Sequence, residues 1–368
     1  MSERIVYLAD WLPPDFGAVG QYALAAARRL ASEGREVLLA GLSSERDSEI
    51  VERPGSGRLR VLRVASDPYD RSDLLARAGW TVGTNLRLVA ATLPALLRAD
   101  EIYFTGSPPF LVHLLVPLGG LLRRRLTYRI TDFHPECLIA ELGRAPLALA
   151  LLRRWTNFLR RRVQRFEVLG EDQRRRLLEI GIRPERIALA RDDAPVPIDA
   201  TTEPLPRPRE LAGRAVLLYS GNFGVAHDDA TFIAGYRRHH REGSGRLVLW
   251  LNATGAKADR VEQRLRELDL PVYRTRPVPL ADLARLLVTP DAHLITLRDE
   301  FVGYVLPSKV YGCIRSARPV LFVGSESSDV DLLCRERLPP ELYRRVAVGD
   351  SAGVAEVLEE LAASPSRR

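Results

Sequence analysis

The 368-residue sequence has little lysine, cysteine or methionine. Its 54 basic residues include two lysines, and the others are arginines. Lys257 is predicted to be a solvated residue at the start of a helix, whereas Lys309 lies in a more unusual place. The three cysteines (Cys137, Cys313 and Cys334) are far apart and form no C-x-x-C pair. This spacing excludes a disulfide framework and a structural zinc site, so each cysteine is predicted to be a small buried apolar residue.

Long hydrophobic runs are also lacking. The longest uncharged apolar run near the middle, "FLVHLLVPLGGLL" at 110–122, is too short to span a bilayer as a helix. The first residues, "MSERIVYLADWL", do not have the basic and apolar regions of a signal peptide. The sequence therefore predicts a cytoplasmic protein without a transmembrane helix.

The net charge of +7 comes from arginine, which is clustered in the N-terminal half at 123–125, 153–154, 160–162 and 174–176. Such clusters attract nucleic acid, anionic lipid or phosphorylated substrates. Nucleic acid is disfavoured as a partner, because aromatic residues are not interleaved with the charge and no groove-reading motif occurs.

Short apolar runs alternate with longer amphipathic ones along the chain, which predicts an α/β protein with parallel sheets covered on both faces. The alternation stops at 194–210, "APVPIDATTEPLPRPRE", where proline excludes both helix and central strand. We therefore predict a first domain at 1–195, a linker at 196–211, a second domain at 212–350, and a final helix and tail at 351–368. Ligands of open α/β sheets bind at the carboxyl ends of the strands.

Lys309 follows a Pro-Ser pair where the run "HLITL" gives way, after a loop, to a predicted helix. Pro307 suits a first helical turn, because its φ is fixed and its missing N–H is not needed there. The free N–H groups of Ser308, Lys309 and Val310, with the helix dipole, would then attract an anion. A lysine adds a compact charge that suits phosphate oxygens. An ordinary helix cap with a solvated lysine is the alternative.

Two glycine-containing loops hold matching places, each between the first strand and the first helix of a predicted domain. In "YSGNFGVAHDD", Gly221 and Gly224 leave the backbone free to approach a ligand. In "WLPPDFGAVGQY", Gly17 and Gly20 have the same relation, with the helix predicted to start at Gly20. This loop is predicted to be about ten residues long, which is longer than a plain turn requires. Neither loop has a dinucleotide or Walker A pattern.

A third polar group follows the strand in "YRITDFHPECLIAELG", where Asp132 ends the strand and His134 follows in the loop. Polar groups at a strand's carboxyl end are candidates for catalysis, although a single histidine is often structural. Pro135 interrupts the spacing that a helical zinc site needs. The run "FTGSPPF" at 104–110 is predicted to shape a pocket at the same rim.

The chain resembles bacterial glycosyltransferases of family 4, which have the GT-B fold. Three stretches in fixed order carry the resemblance: "ADWLPPDFGAVGQYALAAARRLASEGREVLLAG", "YSGNFGVAHD" and "LPSKVYGCIRSARPVLFVG". The resemblance runs nearly end to end. It implies two doubly wound, Rossmann-like parallel-sheet domains facing a cleft. It also implies a hexosyltransferase that moves a sugar from a nucleotide sugar, usually UDP-linked, with retention of anomeric configuration.

The same resemblance implies that the C-terminal domain holds the donor and the N-terminal domain the acceptor. No metal is expected, because positive side chains and helix N-termini neutralise the leaving diphosphate. The implied donor-binding residues are Gly17, Gly20, Gly221, Asn222, Phe223, Gly224, Arg298, Glu300, Leu306, Pro307, Ser308 and Lys309. The candidate catalytic residues are Lys309, Asp132 and His134, of which His134 falls near a family histidine that contacts the transferred sugar.

The sequence departs from the family at a pair of glutamates that many relatives carry around the last motif. In this chain Tyr304 and Gly312 occupy those positions. We therefore assign the ribose contact to Glu300, to Asp299 or to backbone groups. The arginine–lysine pair that usually meets the diphosphate is assigned to Arg298 and Lys309.

Two segments, 113–125 and 147–166, combine apolar faces with arginine clusters, and the second contains Trp155 and Phe158. Such segments lie in the plane of an anionic membrane surface, although a core helix with a solvated face fits the same pattern. The first interpretation predicts a peripheral protein on the inner face of the cell membrane. Its acceptor would be lipid-linked, such as a polyprenyl diphosphate sugar, or otherwise a glycan. A GT-B sugar-nucleotide epimerase and a catalytically silent nucleotide-binding relative remain alternatives.

Overall fold

The computed structural model describes residues 2–15, 17–67 and 74–363, with the side chains of residues 74, 75 and 256 excepted. The predicted tail at 364–368 lies outside the described residues. The chain forms two compact units, Met1–Arg191 and Asp192–Arg368.

The first unit is built on an eight-stranded sheet. Its strands are β1 (Arg4–Trp11), β2 (Glu36–Ser43), β3 (Ser48–Glu52), β4 (Arg58–Ala65), β5 (Glu101–Thr105), β6 (Arg125–Ile130), β7 (Arg165–Val168) and β8 (Ile187–Leu189). Their order in the sheet is β3-β4-β2-β1-β5-β6-β7-β8. The strand pairs are parallel except β3 with β4, which is antiparallel at the sheet edge.

Helices connect these parallel strands. They are α1 (Ala18–Ser32), α2 (Leu74–Leu96), α3 (Val112–Leu121), α4 (Glu136–Leu142), α5 (Leu147–Arg160) and α6 (Glu171–Glu179). Small and apolar residues of α1, including Ala27, pack against Tyr7 of β1 and Leu39 of β2 in one buried cluster. The amphipathic pattern of α1 thus covers one face of the sheet.

The second unit has a six-stranded parallel sheet. Its strands are β9 (Ala215–Asn222), β10 (Leu247–Thr254), β11 (Val272–Thr275), β12 (Ala292–Thr296), β13 (Val320–Val323) and β14 (Tyr343–Val346). Its helices are α7 (Ala230–Arg241), α8 (Ala256–Glu267), α9 (Leu280–Val288), α10 (Lys309–Arg315), α11 (Asp329–Arg337) and α12 (Ser351–Ala363).

Successive residues of β9 face opposite sides of this sheet, and both sides are buried. Leu217 and Tyr219 pack in the cluster that includes α7 and α12. Val216 and Leu218 pack on the other side with Leu286 of α9. This is why the strand is a continuous apolar run rather than an alternating one.

The order of the second sheet is β11-β10-β9-β12-β13-β14. Counted within the unit this is 3-2-1-4-5-6, the order of Rossmann domains, which reverses direction between β9 and β12. The parallel strands of the first unit follow the same scheme, with the reversal between β1 and β5. The predicted α/β class with two doubly wound, Rossmann-like parallel sheets is confirmed.

The proline-rich segment differs from a free linker, because it packs on the second unit. Ile198 is buried with Leu287 of α9, and Leu205 packs against the cluster around Leu218. Arg207 pairs with Asp291, with Nη2 and Oδ2 3.0 Å apart. Proline removes the backbone donors, and side chains make these attachments instead. The whole segment belongs to the second compact unit, which begins at Asp192.

Candidate functional site

In the second unit, the reversal of strand order brings two loops to one edge of the sheet. β9 ends at Asn222 and is followed by the loop that contains Gly224, and β12 ends at Thr296 and leads to Lys309. The two strands are neighbours, with Leu217 opposite Ala292. At such a point the connections diverge to opposite faces and leave a crevice for a ligand.

Lys309 is the first residue of α10, and its Nζ atom lies 3.2 Å from the centroid of the Tyr219 ring. The atom is closed to solvent and has no hydrogen-bond partner among the described residues. Burial lowers the pKa of Lys309 well below its usual value, with the nearby Cys313 thiol opposing the shift. A buried amine without an anion is unfavourable, so this position is suited to receiving one.

Aromatic rings enclose the lysine from the β9 side. Tyr219 stacks on Phe223 with ring centroids 4.3 Å apart, and His227 meets both rings edge-on. His227 donates from Nδ1 to the Thr296 carbonyl, at 2.6 Å. Burial, followed by the charge of Lys309, lowers the pKa of His227 well below its usual value, so the ring is neutral. The hydroxyl of Thr296 is buried and has no partner among the described residues.

The start of α10 differs from the prediction. Pro307 precedes the helix rather than entering its first turn, and Ser308 is the cap residue. The Val310 N–H is not free, because it donates to the Pro307 carbonyl at 3.1 Å. The Ser308 side chain makes no capping hydrogen bond, so its hydroxyl is free to donate. With seven residues α10 is short, and the buried amine rather than the dipole distinguishes this position.

The Gly-Asn-Phe-Gly loop lies against the same lysine. Gly221 has φ +114°, which a residue with a side chain rarely adopts, and a Cβ there would lie 4.0 Å from Lys309 Cε. Phe223 is buried, whereas Asn222 is exposed and Gly224 is partly covered. The sequence indicated a close approach to a ligand here, and the structure places a charged side chain beside that backbone.

Lys257 has a different role from the predicted solvated one. Its Nζ donates to the His227 carbonyl and lies 2.8 Å from Asp229 Oδ1. The same atom is 5.9 Å from the Phe223 ring centroid. Lys257 therefore holds the loop that follows β9 and does not point freely toward a ligand.

The remaining predicted donor contacts are spread along the segment after β12. Arg298 lies beside Glu300, with Nε and Oε2 3.5 Å apart, and both side chains are partly exposed. Leu306 and Pro307 are buried. Gly312 packs against Leu287 of α9, where a Cβ would come within 3.0 Å. A glutamate at that position would have to displace this contact.

In the first unit, the loop after β1 is shorter than predicted. α1 begins at Ala18 instead of Gly20, so residues 12–17 form the whole connection. A Cβ on Gly20 would lie 1.8 Å from the Trp11 carbonyl oxygen, which explains this glycine by packing of the helix on β1. Gly17 has an extended backbone at the helix start and has room for a side chain. Their predicted contact with a donor remains a prediction.

Two carboxyl groups lie at the carboxyl ends of strands in this sheet. Asp10 is near the end of β1 and accepts a 2.6 Å hydrogen bond from the hydroxyl of Ser107, which follows β5. Asp132 follows β6. Burial, then the charge of Asp10, raises the pKa of Asp132 to about 7, and burial also raises that of Asp10. Gly106, which follows β5, lies close to the backbone of Asp132, because a Cβ there would meet the Asp132 carbonyl oxygen at 2.7 Å.

His134 lies two residues farther along the same loop. Its ring is partly covered, 5.8 Å from the Phe110 ring, and burial lowers its pKa to about 4. Its carbonyl accepts a 2.9 Å hydrogen bond from Arg160 Nη2. Arg160 was predicted to belong to a surface cluster of arginines, but its side chain is fully buried.

Three side chains at these edges were missed by sequence reasoning: Asp10, Tyr219 and His227. Each lies within a stretch that the sequence singled out, at or just after the first strand of a unit. Their roles depend on which face of the strand or loop they occupy, and the motif alone does not give this.

Within residues 2–15, 17–67 and 74–363, no cluster of three or more His, Cys, Asp or Glu side chains has the arrangement of a metal site. None of the helices described is both long and apolar enough to cross a bilayer. The three cysteines are buried, as predicted.

No family model matches the chain. It is similar to the probable glycosyltransferase WbjE of Pseudomonas aeruginosa, with 24% identity over 260 residues. That match covers 68% of this chain and 64% of WbjE, so the chain spans slightly less than two thirds of this relative.

Solved structures are similar over nearly the whole chain. Anabaena HepE in complex with UDP and glucose has a TM-score of 0.64 at 13% identity, covering 97% of this chain and 89% of HepE. WaaG, a glycosyltransferase involved in lipopolysaccharide biosynthesis, has a TM-score of 0.65 at 14% identity. The match covers 98% of this chain and 90% of WaaG. The UDP-forming α,α-trehalose-phosphate synthase of Burkholderia vietnamiensis has a TM-score of 0.64 at 14% identity. The match covers 99% of this chain and 92% of the synthase.

At these identities the likeness concerns the fold, and it agrees with the strand orders of both units. The predicted resemblance is confirmed at that level: this chain has the fold of the GT-B glycosyltransferases, and its curated relative is named a probable glycosyltransferase.

Proposed function

We propose that this chain transfers a sugar from a UDP-linked donor to a hydroxyl group of an acceptor, with retention of anomeric configuration. The observation that carries the proposal is the buried, unpartnered Nζ of Lys309 at the strand reversal of the second unit. Crevices of this kind bind nucleotides in Rossmann domains. HepE, which shares the fold, was crystallised with UDP and with UDP-glucose.

In this proposal the second unit binds the donor. The diphosphate lies against the Gly221 backbone and accepts from the Lys309 amine and the Ser308 hydroxyl. Breaking the glycosyl–phosphate bond builds negative charge on the leaving oxygens, and a fixed positive group in a dry site stabilises that charge. Arrival of the anion favours the charged form of Lys309, so the amine is an ammonium when the bond breaks.

The first unit binds the acceptor in this proposal. Asp132, with a pKa of about 7, is suited to accept a proton from the attacking hydroxyl. His134 is neutral near pH 7 and offers a hydrogen bond to a sugar hydroxyl instead of a charge. The sugar carbon becomes oxocarbenium-like, and the hydroxyl attacks from the face that the diphosphate leaves.

The acceptor is proposed to be a glycan or a lipid-linked sugar, and the protein to bind the inner face of the cell membrane peripherally. Helix α5 supports this, because Leu147, Leu151 and Trp155 on it are 76%, 57% and 50% exposed. Phe158 is also exposed and stacks on Trp155. The helix contains no aspartate or glutamate. Apolar side chains with arginine and no acid fit an anionic lipid surface.

The test begins with a thermal-shift panel of UDP, GDP, CDP and their glucose conjugates. A ligand that binds the folded state raises its melting temperature, and we expect the uridine compounds to raise it most. Products are then followed with UDP-sugar in the presence and absence of an acceptor extract. UDP release that depends on the acceptor supports transfer, whereas an isomerised nucleotide sugar without UDP release would identify an epimerase. UDP binding with neither product would identify a silent relative.

A further inference from the structure

Arg160 ends helix α5 and lies entirely inside the first unit. Its side chain is 0% exposed, and both its terminal nitrogens contact Glu136, at 2.6 and 3.1 Å. Nη1 also donates to Asn157 Oδ1 at 2.8 Å. The guanidinium lies 5.0 Å from the centroid of the Phe133 ring.

These contacts converge on one loop from several directions. Arg160 Nη2 donates to the His134 carbonyl at 2.9 Å, which fixes the backbone of His134 directly. Phe133, immediately before it, is held by the guanidinium face, and Glu136 begins α4 just after it. Arg160 therefore fastens the segment that carries Asp132 and His134 to α5.

Stability alone gives a weak reason for this arrangement. Removing two charges from water is costly, and replacing a buried ion pair by neutral groups of similar volume is often neutral or stabilising. The Arg160 Nε is moreover buried without a hydrogen-bond partner among the described residues. What the planar guanidinium provides is geometry, because its fork holds a carboxylate and a carbonyl at fixed positions.

We propose that Arg160 is the positioning residue of the candidate acceptor site, setting the place of Asp132 and His134 through Glu136 and the His134 carbonyl. This inference rests on the proposed function, in which those two residues meet the acceptor. The same helix presents its exposed apolar face to the outside, so α5 joins the candidate membrane surface to this loop.

The test uses the neutral pair Arg160→Met with Glu136→Gln, which removes both charges together. Arg183→Met is the matched control, since Arg183 is 72% exposed in the same unit and pairs with Glu185. We expect the double variant to fold, to keep the donor KM, and to lose 10- to 100-fold in transfer kcat, because small displacements of reacting groups have effects on the order of 100-fold. Arg160→Lys keeps the charge but loses the forked guanidinium. Its transfer kcat should lie between that of the double variant and that of the Arg183→Met control.

A second readout does not depend on activity. In ¹⁵N-histidine-labelled protein, the His134 ring signals, assigned with His134→Gln, should shift in the double variant while those of the second unit's four histidines stay. If the wild-type protein transfers no sugar, the proposed function fails. The shift of the His134 ring signals in the double variant still shows whether Arg160 positions His134. Unchanged kcat with an unchanged His134 signal would overturn the proposal. Loss of folding in the double variant would also overturn it, because Arg160 would then serve stability.

Discussion

The side-chain nitrogen of Lys309 lies 3.2 Å from the centre of the Tyr219 ring and has no hydrogen-bond partner among the described residues. The ring face attracts the cation, while exclusion of water disfavours it. Burial prevails, and the pKa of Lys309 is lowered well below its usual value. Burial therefore opposes the charged form of this amine, and an anion bound beside it would favour that form. Two predictions depend on this relationship.

Replacing Lys309 by methionine keeps most of the volume and removes the charge. We expect transfer, measured as kcat/KM for a UDP-sugar, to fall by about 3 kcal/mol, or roughly 100-fold, as on loss of one oxyanion donor. Arg285→Met removes an exposed charge of α9 and should leave the rate unchanged. Equal rates for Lys309→Met and wild type would remove Lys309 from the site.

The pH dependence of UDP binding tests the same lysine. Because binding restores the proton that burial disfavours, affinity should decrease as pH rises through the lowered pKa of free Lys309. Titration calorimetry between pH 7.5 and 9.5 avoids protonation of the terminal phosphate, whose pKa is near 6. Buffers with different ionisation enthalpies should reveal proton uptake. The Lys309→Met variant should show a flat profile, and a flat wild-type profile would contradict the prediction.

Gly20 and Gly79 are a matched pair of glycines within helices. Alanine at Gly20 brings Cβ to 1.8 Å from the Trp11 carbonyl oxygen, so we expect a loss of roughly 1–3 kcal/mol in the free energy of unfolding. A Cβ on Gly79 in α2 would have nothing within 4 Å, and Gly79→Ala should stabilise by about 0.5–1 kcal/mol. Urea denaturation measures both changes. A harmless Gly20→Ala would show that α1 does not approach β1 as described.

Stability should decrease between pH 7 and pH 5. Burial lowers the pKa of all six histidines, three of them (His134, His240 and His293) to about 4. Below pH 6.5 the unfolded chain therefore binds more protons, at up to about 1.4 kcal/mol per pH unit for each histidine whose pKa is about 4. Asp132 and Asp10 oppose this, because burial raises the pKa of both carboxyl groups and lets the folded state take up a proton first.

The measurement is the urea midpoint as a function of pH, with His293→Gln for comparison. His293 is buried and its Nε2 contacts the Leu287 carbonyl at 2.9 Å. The variant should be less stable at pH 7 and should show a shallower pH slope. A midpoint that is constant or higher at pH 5 would mean that the histidines are not held neutral.

The α5 surface predicts binding to anionic vesicles. We expect flotation with vesicles containing phosphatidylglycerol, weaker flotation with neutral vesicles, and loss in high salt, because the arginines supply the attraction. Alanine at both Trp155 and Phe158 should reduce binding. Leu332→Ala, which removes an exposed leucine of α11 in the other unit, is the control. No flotation under any of these conditions would favour a soluble acceptor.

Much of the fold follows from the sequence because buried parallel strands are continuous apolar runs. "AVLLYSG" and "RLVLWLN" give β9 and β10 within one or two residues. Three strands are too short or too polar to be recognised in this way, namely β3, β8 and β14. β14 is "YRRV", with two arginines in four residues, and its place at the sheet edge depends on pairing with β13. Tertiary contacts decide such strands.

The backbone around the candidate site follows from the sequence more closely than the surroundings of its side chains do. Strand ends and Gly221 were located correctly, because alternation and turn chemistry are local. Two side-chain environments were not: Arg160 was assigned to a surface cluster of arginines, and the contact of Lys309 with the Tyr219 ring joins residues far apart in the sequence. The Asp10 carboxyl and the Asp132 loop are brought to the same rim by the order of three strands, and no local pattern encodes that order.

The most direct test of the central claim is a crystal structure of the protein soaked with UDP. The account predicts the diphosphate beside the Gly221 backbone, with an oxygen about 3 Å from Lys309 Nζ. Diphosphate bound at another position, with the Lys309 amine still enclosed by Tyr219 and without an anion, would contradict it.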